Sequence, residues 1–125
     1  MHPDHTAVAA ACERAWFLAG LKNFEPRLGE RHRPATMLRY PGNRPVEPTV
    51  VVDVSAVVAD KAEVLRCYRS QLHPPDRSHL VQGLDVLERA EVRDRFHGAR
   101  IGVRAAEPFW HDGPLALDAL ALLRG

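Results

Sequence analysis

Thr49-Val50-Val51-Val52-Asp53-Val54 is the stretch that decides the fold. Five of its six residues are β-branched, and such side chains fit the pleated surface of a sheet better than the crowded turn of a helix. The run is continuous rather than alternating, which predicts a strand covered on both faces. Upstream, Thr36 to Tyr40 reads as a second, shorter strand. Pro41-Gly42-Asn43 turns the chain between the two, and Pro45 and Pro48 keep the connection extended. The two strands are expected to be neighbours in a small sheet. With helical periodicity on either side of them, the fold class is α/β.

Three helices are expected around this sheet. From Asp4 to about Ala19, Val8, Ala11, Cys12, Ala15 and Leu18 recur at spacings of three and four, and Gly20 stands where a helix would stop. The small residues Ala9, Ala10, Ala11 and Ala15 would let this helix lie close to a sheet. Ser55 is the expected cap of a second helix, Ala56 to about Leu72, with Val57, Val64, Leu65, Tyr68 and Leu72 inward and Lys61 and Glu63 outward. His73-Pro74-Pro75 would end it. Ser78 is the expected cap of a third helix running to about His97, with Leu80, Leu84, Leu87 and Glu91 on one stripe and Gly98 as its stop. Glu88, Arg89, Glu91, Arg93, Asp94 and Arg95 would form a solvated, mixed-sign face. Ile101 to Phe109 reads as extended, and Leu115 to Leu123 as a docking terminal helix. Residues 21–35 are irregular, broken by Pro26, Gly29 and Pro34.

Composition narrows the function. One hundred and twenty-five residues is one domain's worth of chain. A formal net charge of +1 creates no field that would recruit nucleic acid or a membrane surface. No apolar run spans a bilayer and no signal segment is present, so a cytoplasmic location is expected. Cys12 and Cys67 fall on expected apolar faces and read as two buried, reduced thiols.

The chemistry-bearing residues gather at the start of the chain. Met1-His2-Pro3-Asp4-His5 sets two imidazoles and a carboxylate within four positions, and these are common metal-ligating and proton-transfer groups. Pro3 biases His2 toward an extended conformation, and Asp4 suits a helix N-cap. Arg33 in the irregular stretch could approach an anionic substrate. Glu107 is a further candidate contact, with an ordinary ion pair to a nearby arginine as the plainer expectation.

These motifs in order resemble the C-terminal part of the LmbE/PIG-L family of zinc-dependent N-deacetylases, and most of all its bacillithiol-biosynthesis type. The matching residues are His2-Pro3-Asp4-His5 running into an alanine-rich helix, Ala19-Gly20-Leu21-Lys22, and Arg31-His32-Arg33-Pro34. Tyr68-Arg69-Ser70-Gln71 matches as well, as does Gly98-Ala99-Arg100-Ile101-Gly102-Val103-Arg104 leading to Ala106-Glu107-Pro108-Phe109. The resemblance runs through nearly all of residues 1–125. It implies a partial Rossmann-like fold and removal of an N-acetyl group from an N-acetylglucosamine conjugate. It further implies zinc as cofactor with His5 as a ligand, His2 stabilising or protonating the tetrahedral intermediate, and Asp4 orienting a ligand. Family members often form homo-oligomers, which is the expectation for the intact protein.

Two departures qualify the resemblance. The family draws two zinc ligands and its general base from a His-Pro-Asp-Asp motif, which this chain does not contain. Ala105 stands where members often carry tyrosine. A fragment lacking the first metal-binding motif, inactive alone, is therefore expected. A non-enzymatic α/β scaffold or oligomerisation module derived from the family is the alternative.

Overall fold

A computed structural model of the protein describes residues 3–42, 46–72 and 84–116. The chain forms two compact units, Met1–Leu38 and Arg39–Gly125.

The first unit is built on α1, Pro3–Ala19. Proline is at home in the first turn, where its missing N–H would have no intrahelical acceptor. The helix ends as expected at Gly20, whose N–H reaches the Phe17 carbonyl at 3.3 Å. His32 N–H then donates to the Ala19 carbonyl at 2.9 Å, tying the irregular segment back to the helix end. No residue of α1 is buried. Val8 and Phe17 are 61% and 67% exposed, and Cys12 is exposed too, contrary to the expected buried stripe. Two of the five stripe residues are alanines, which remove little apolar area from water, and Trp16 and Phe17 lie off the stripe.

In the second unit β1, Val50–Asp53, pairs antiparallel with β2, Ala106–Phe109. Val50 faces Phe109 and Asp53 faces Ala106. The strand at 49–54 is thus where the sequence puts it, but its partner is not 36–40. Of that stretch only Arg39 joins the sheet, by an isolated bridge to Trp110 with N–O distances of 2.9 and 2.7 Å. In this register the next hydrogen-bonding position would set Pro41 opposite Pro108. Neither has an N–H to donate, so the ladder cannot continue in that direction.

The expected helix 56–72 is two: α2, Val58–Arg66, and α3, Arg69–Leu72. Val57, not Ser55, is the N-cap. The Ser55 hydroxyl is engaged elsewhere, accepting from Ala105 N–H at 3.2 Å and donating to the Ala105 carbonyl at 3.3 Å. The inward face of α2 is also rotated from expectation. Val58, Lys61, Ala62 and Leu65 are half-buried, whereas Val57, Val64, Tyr68 and Cys67 are exposed.

The helix expected at 78–97 is α4, Val86–Ile101. Its cap is Asp85, which forms a reciprocal capping box: Glu88 N–H donates to Asp85 Oδ1, and Asp85 N–H to Glu88 Oε2, both at 2.9 Å. Gly98 does not stop the helix. It lies buried inside it, and Gly102, at φ 75°, ends it in the left-handed conformation that glycine tolerates. A Cβ at Gly98 would sit 2.7 Å from the Val103 carbonyl oxygen and 2.9 Å from Ala105, so glycine here serves close approach. Extended structure therefore begins at Ala106, not Ile101.

The buried face of α4 is Ala90, Asp94, His97 and Gly98, while Glu91 is exposed. Asp94 does not belong to a solvated face. It is 2% exposed. This helix packs on both strands, and α2 and α3 pack on the helix, giving the α/β class expected. Among the described residues, the buried apolar side chains of this packing are small: Ala90, Ala105 and Ala106. Ser78, Leu80, the 73–75 helix stop, Asn43 of the expected 41–43 turn, Pro45 and most of the terminal helix expected at 115–123 fall outside the described residues.

Candidate functional site

Asp4 and His5 occupy the first turn of α1, exposed. Adjacent helical positions diverge by about 100° around the axis, so the two side chains project differently. His2 lies outside the described residues. Arg33, in the irregular segment of the same unit, runs beside Gly20, where a Cβ would come within 3.3 Å of Arg33 Nε. Among the described residues no three His, Cys, Asp or Glu side chains are grouped as metal ligands. A catalytic zinc needs three protein ligands, so the described residues do not by themselves make up such a site. His5 can supply one ligand of it.

Glu107 belongs to the second unit, where three elements converge on one ammonium. Lys61 Nζ, from α2, lies 2.5 Å from Asp94 Oδ2 on α4 and also pairs closely with Glu107 Oε1 on β2. The partner of Glu107 is therefore this lysine and not the arginine expected. Arg93 Nε stands 3.6 Å from Asp94 Oδ1, close enough for charge attraction, but among the described residues no hydrogen bond reaches that oxygen. Lys61 and Glu107 are 20% and 29% exposed. Two carboxylates against two cations leave the cluster neutral, and a neutral cluster is what a partly desolvated position tolerates. Beside it lies a cavity of about 130 Å³, lined by Tyr40, Pro41, Arg93, Glu107, Pro108 and Phe109.

Two further groups titrate away from their ordinary values. Burial holds the His97 imidazole below the usual histidine range, and the neighbouring Arg100 and Arg93 guanidiniums reinforce this against the opposing pull of Glu47 and Asp94. Hydrogen bonds from the Ser55 side chain and backbone lower the Asp53 carboxyl.

The sequence alone places both Lys61 and Asp94 on outer faces. A signal for Asp94 does exist: Ala90 and Gly98 flank it at four residues on either side. Small residues at that spacing mark a helix face pressed against a sheet, and whatever stands between them is buried with it. Nothing comparable marks Lys61, whose burial follows from the partners it meets.

No family model matches this sequence. Among solved structures, the chain is similar to the conserved protein TT1542 from Thermus thermophilus, with 34% identity and a TM-score of 0.76. The match covers 94% of this chain and 49% of that one, so this chain spans about half the length of that protein.

Proposed function

We propose that this chain carries part of a metal-dependent hydrolase of the LmbE/PIG-L type, which removes an N-acetyl group from an N-acetylglucosamine conjugate. The observation that carries the reading is the ordered series of motifs from His2-Pro3-Asp4-His5 to Ala106-Glu107-Pro108-Phe109. The half-length similarity to a solved chain supports it, because a polypeptide of that length has room for the ligands and general base this sequence lacks. In this reading His5 contributes one zinc ligand, His2 assists the tetrahedral intermediate, and Asp4 orients a ligand from the start of α1. Arg33 and Glu107 are the substrate-contact candidates, and of these Glu107 is already held by Lys61. The site works in the cytoplasm on a small amino-sugar conjugate, without nucleic acid or membrane, in a homo-oligomer of the intact protein.

Zinc titration calorimetry tests the reading. The 125-residue chain alone should bind zinc weakly and show no deacetylase activity, because affinity falls steeply as ligands are removed. Co-expression with a segment bearing the His-Pro-Asp-Asp motif should restore tight binding and acetate release, and His5→Ala should abolish both. Tight one-to-one binding by the chain alone, lost in His5→Ala, would overturn the incomplete-site reading.

A further inference from the structure

The face of α4 turned away from the sheet is not an ordinary solvated face. Opposite the buried Ala90, Asp94, His97 and Gly98 it presents Glu88, Glu91, Val92, Arg95, Phe96 and Ala99, all exposed. Val92 and Phe96 stand one turn apart near its middle, 60% and 61% exposed. The charges are sorted along the axis. Glu88 and Glu91 lie in the N-terminal half, and Arg95 and Arg100 in the C-terminal half.

Acid at the start of a helix and base at its end suit the helix dipole, and that alone would account for the sorting. It does not account for a valine and a phenylalanine left in water between them. Nor is the sorting used within the helix. Glu91 and Arg95 are four residues apart with the acid first, the favourable order for an intrahelical pair, yet among the described residues their side chains make no ion pair.

A second copy of the same helix, run antiparallel, answers both observations. A two-fold axis between residues 93 and 94 sets Val92 against Phe96 of the partner subunit, and Glu91 against Arg95 of the partner subunit. Glu91 and Arg95 share one flank of the face, and such an axis brings like flanks together, so each contact is made twice. The arginines of the other flank are engaged within their own chain: Arg93 lies beside Asp94, Arg100 pairs with Glu47, and Arg89 is not free. The two helix dipoles run in opposite directions, which favours the pair further.

We infer that the outer face of α4 is a contact surface for a second copy of this chain, with the two α4 helices antiparallel across a two-fold axis. The inference stands on the surface of this helix alone, and it holds whether or not the protein is a deacetylase.

The test is sedimentation equilibrium of the 125-residue chain over a range of concentrations. One helix pair buries less than a standard interface, so the dimer should be weak, with a Kd of roughly 10–100 μM. Glu91→Arg and Arg95→Glu each set like charges against one another twice, and each should raise the Kd at least about tenfold. Both positions are exposed, so the circular dichroism and melting temperature of the dilute chain should stay nearly unchanged. In an equimolar mixture of the two variants, the position reversed in one meets the position reversed in the other. Both contacts become attractive again, and a mixed dimer should form with nearly the parent Kd. Should either variant fail to fold, Phe96→Ser decides, since it removes the apolar centre and should also raise the Kd about tenfold or more. A chain that stays monomeric well above 100 μM overturns the inference. So does association that none of these variants weakens, which would place the contact on another face. Variants that each weaken the dimer and do not recover on mixing would show that the two residues do not meet across the copies, and overturn it as well.

Discussion

Lys61 shows how one side chain can tie three elements together. It joins α2 to Asp94 on α4 and Glu107 on β2, and Asp94 is almost fully enclosed. Removing the ammonium would leave a buried carboxylate without its main partner, a loss larger than the pair itself contributes. Allowing for the partial exposure of Lys61, Lys61→Met should destabilise the chain by about 2–3 kcal/mol. Urea denaturation checks this, and the double change Lys61→Met with Asp94→Leu should recover much of the loss. Glu107→Gln, at a more exposed position, should cost roughly 1 kcal/mol or less. Gly98 illustrates the opposite constraint, since any Cβ there meets backbone that cannot swing aside. Gly98→Ala gains helix propensity yet should still destabilise by about 2 kcal/mol, read from the same denaturation curves.

At the scale of elements, α4 organises the second unit. Its start is set locally, by the reciprocal bonds between Asp85 and Glu88. Asp85→Ala should lower stability by about 1 kcal/mol, and thermal unfolding followed by far-ultraviolet circular dichroism would register it as a lower melting temperature. A melting temperature equal to the parent's would mean that packing alone places the helix start. Its far end is set by packing, because the chain reverses over Gly98 on its way to β2. α1 behaves differently. Its C-terminal bound is local, at Gly20, and its side chains remain in contact with solvent.

For the molecule as a whole, the stability of the second unit should depend on pH through His97. Its folded pKa lies below the 6.5 of a free imidazole. As pH falls through about 6.5, the unfolded chain takes up the proton first, so stability is fully present above that value. It is then lost progressively toward the lower folded pKa. The melting temperature should therefore drop on acidification from neutral pH to the range just below 6.5, and His97→Gln should flatten that part of the profile. A parent and variant with superimposable profiles would show that His97 is not the group responsible. Asp53 acts in a separate and more acidic window. Its lowered carboxyl contributes stability above about its ordinary 3.8 and loses it as pH falls through the folded value.

The sequence by itself determined whatever local chemistry controls. The strand at 49–54 follows from β-branched stiffness, α1 from its alanines between Pro3 and Gly20, and the α/β class from the mixture of the two periods. Pairing, phase and burial were decided only in the tertiary structure. The strand expected at 36–40 gave way to β2 as the partner of 49–54, and its single bridge at Arg39 does not extend toward 41, where Pro41 would face Pro108. Ala90 and Gly98 mark the helix face that buries Asp94, whereas Lys61 moved inward because of the carboxylates it meets, which its own helix cannot reveal. Ser55 gave up its expected cap because Ala105, fifty residues on, offered its backbone instead. The candidate ligand His5 and its neighbour Asp4 are legible as residues in a first helical turn. A three-ligand metal site is a meeting of distant side chains, so a helix turn alone does not determine one.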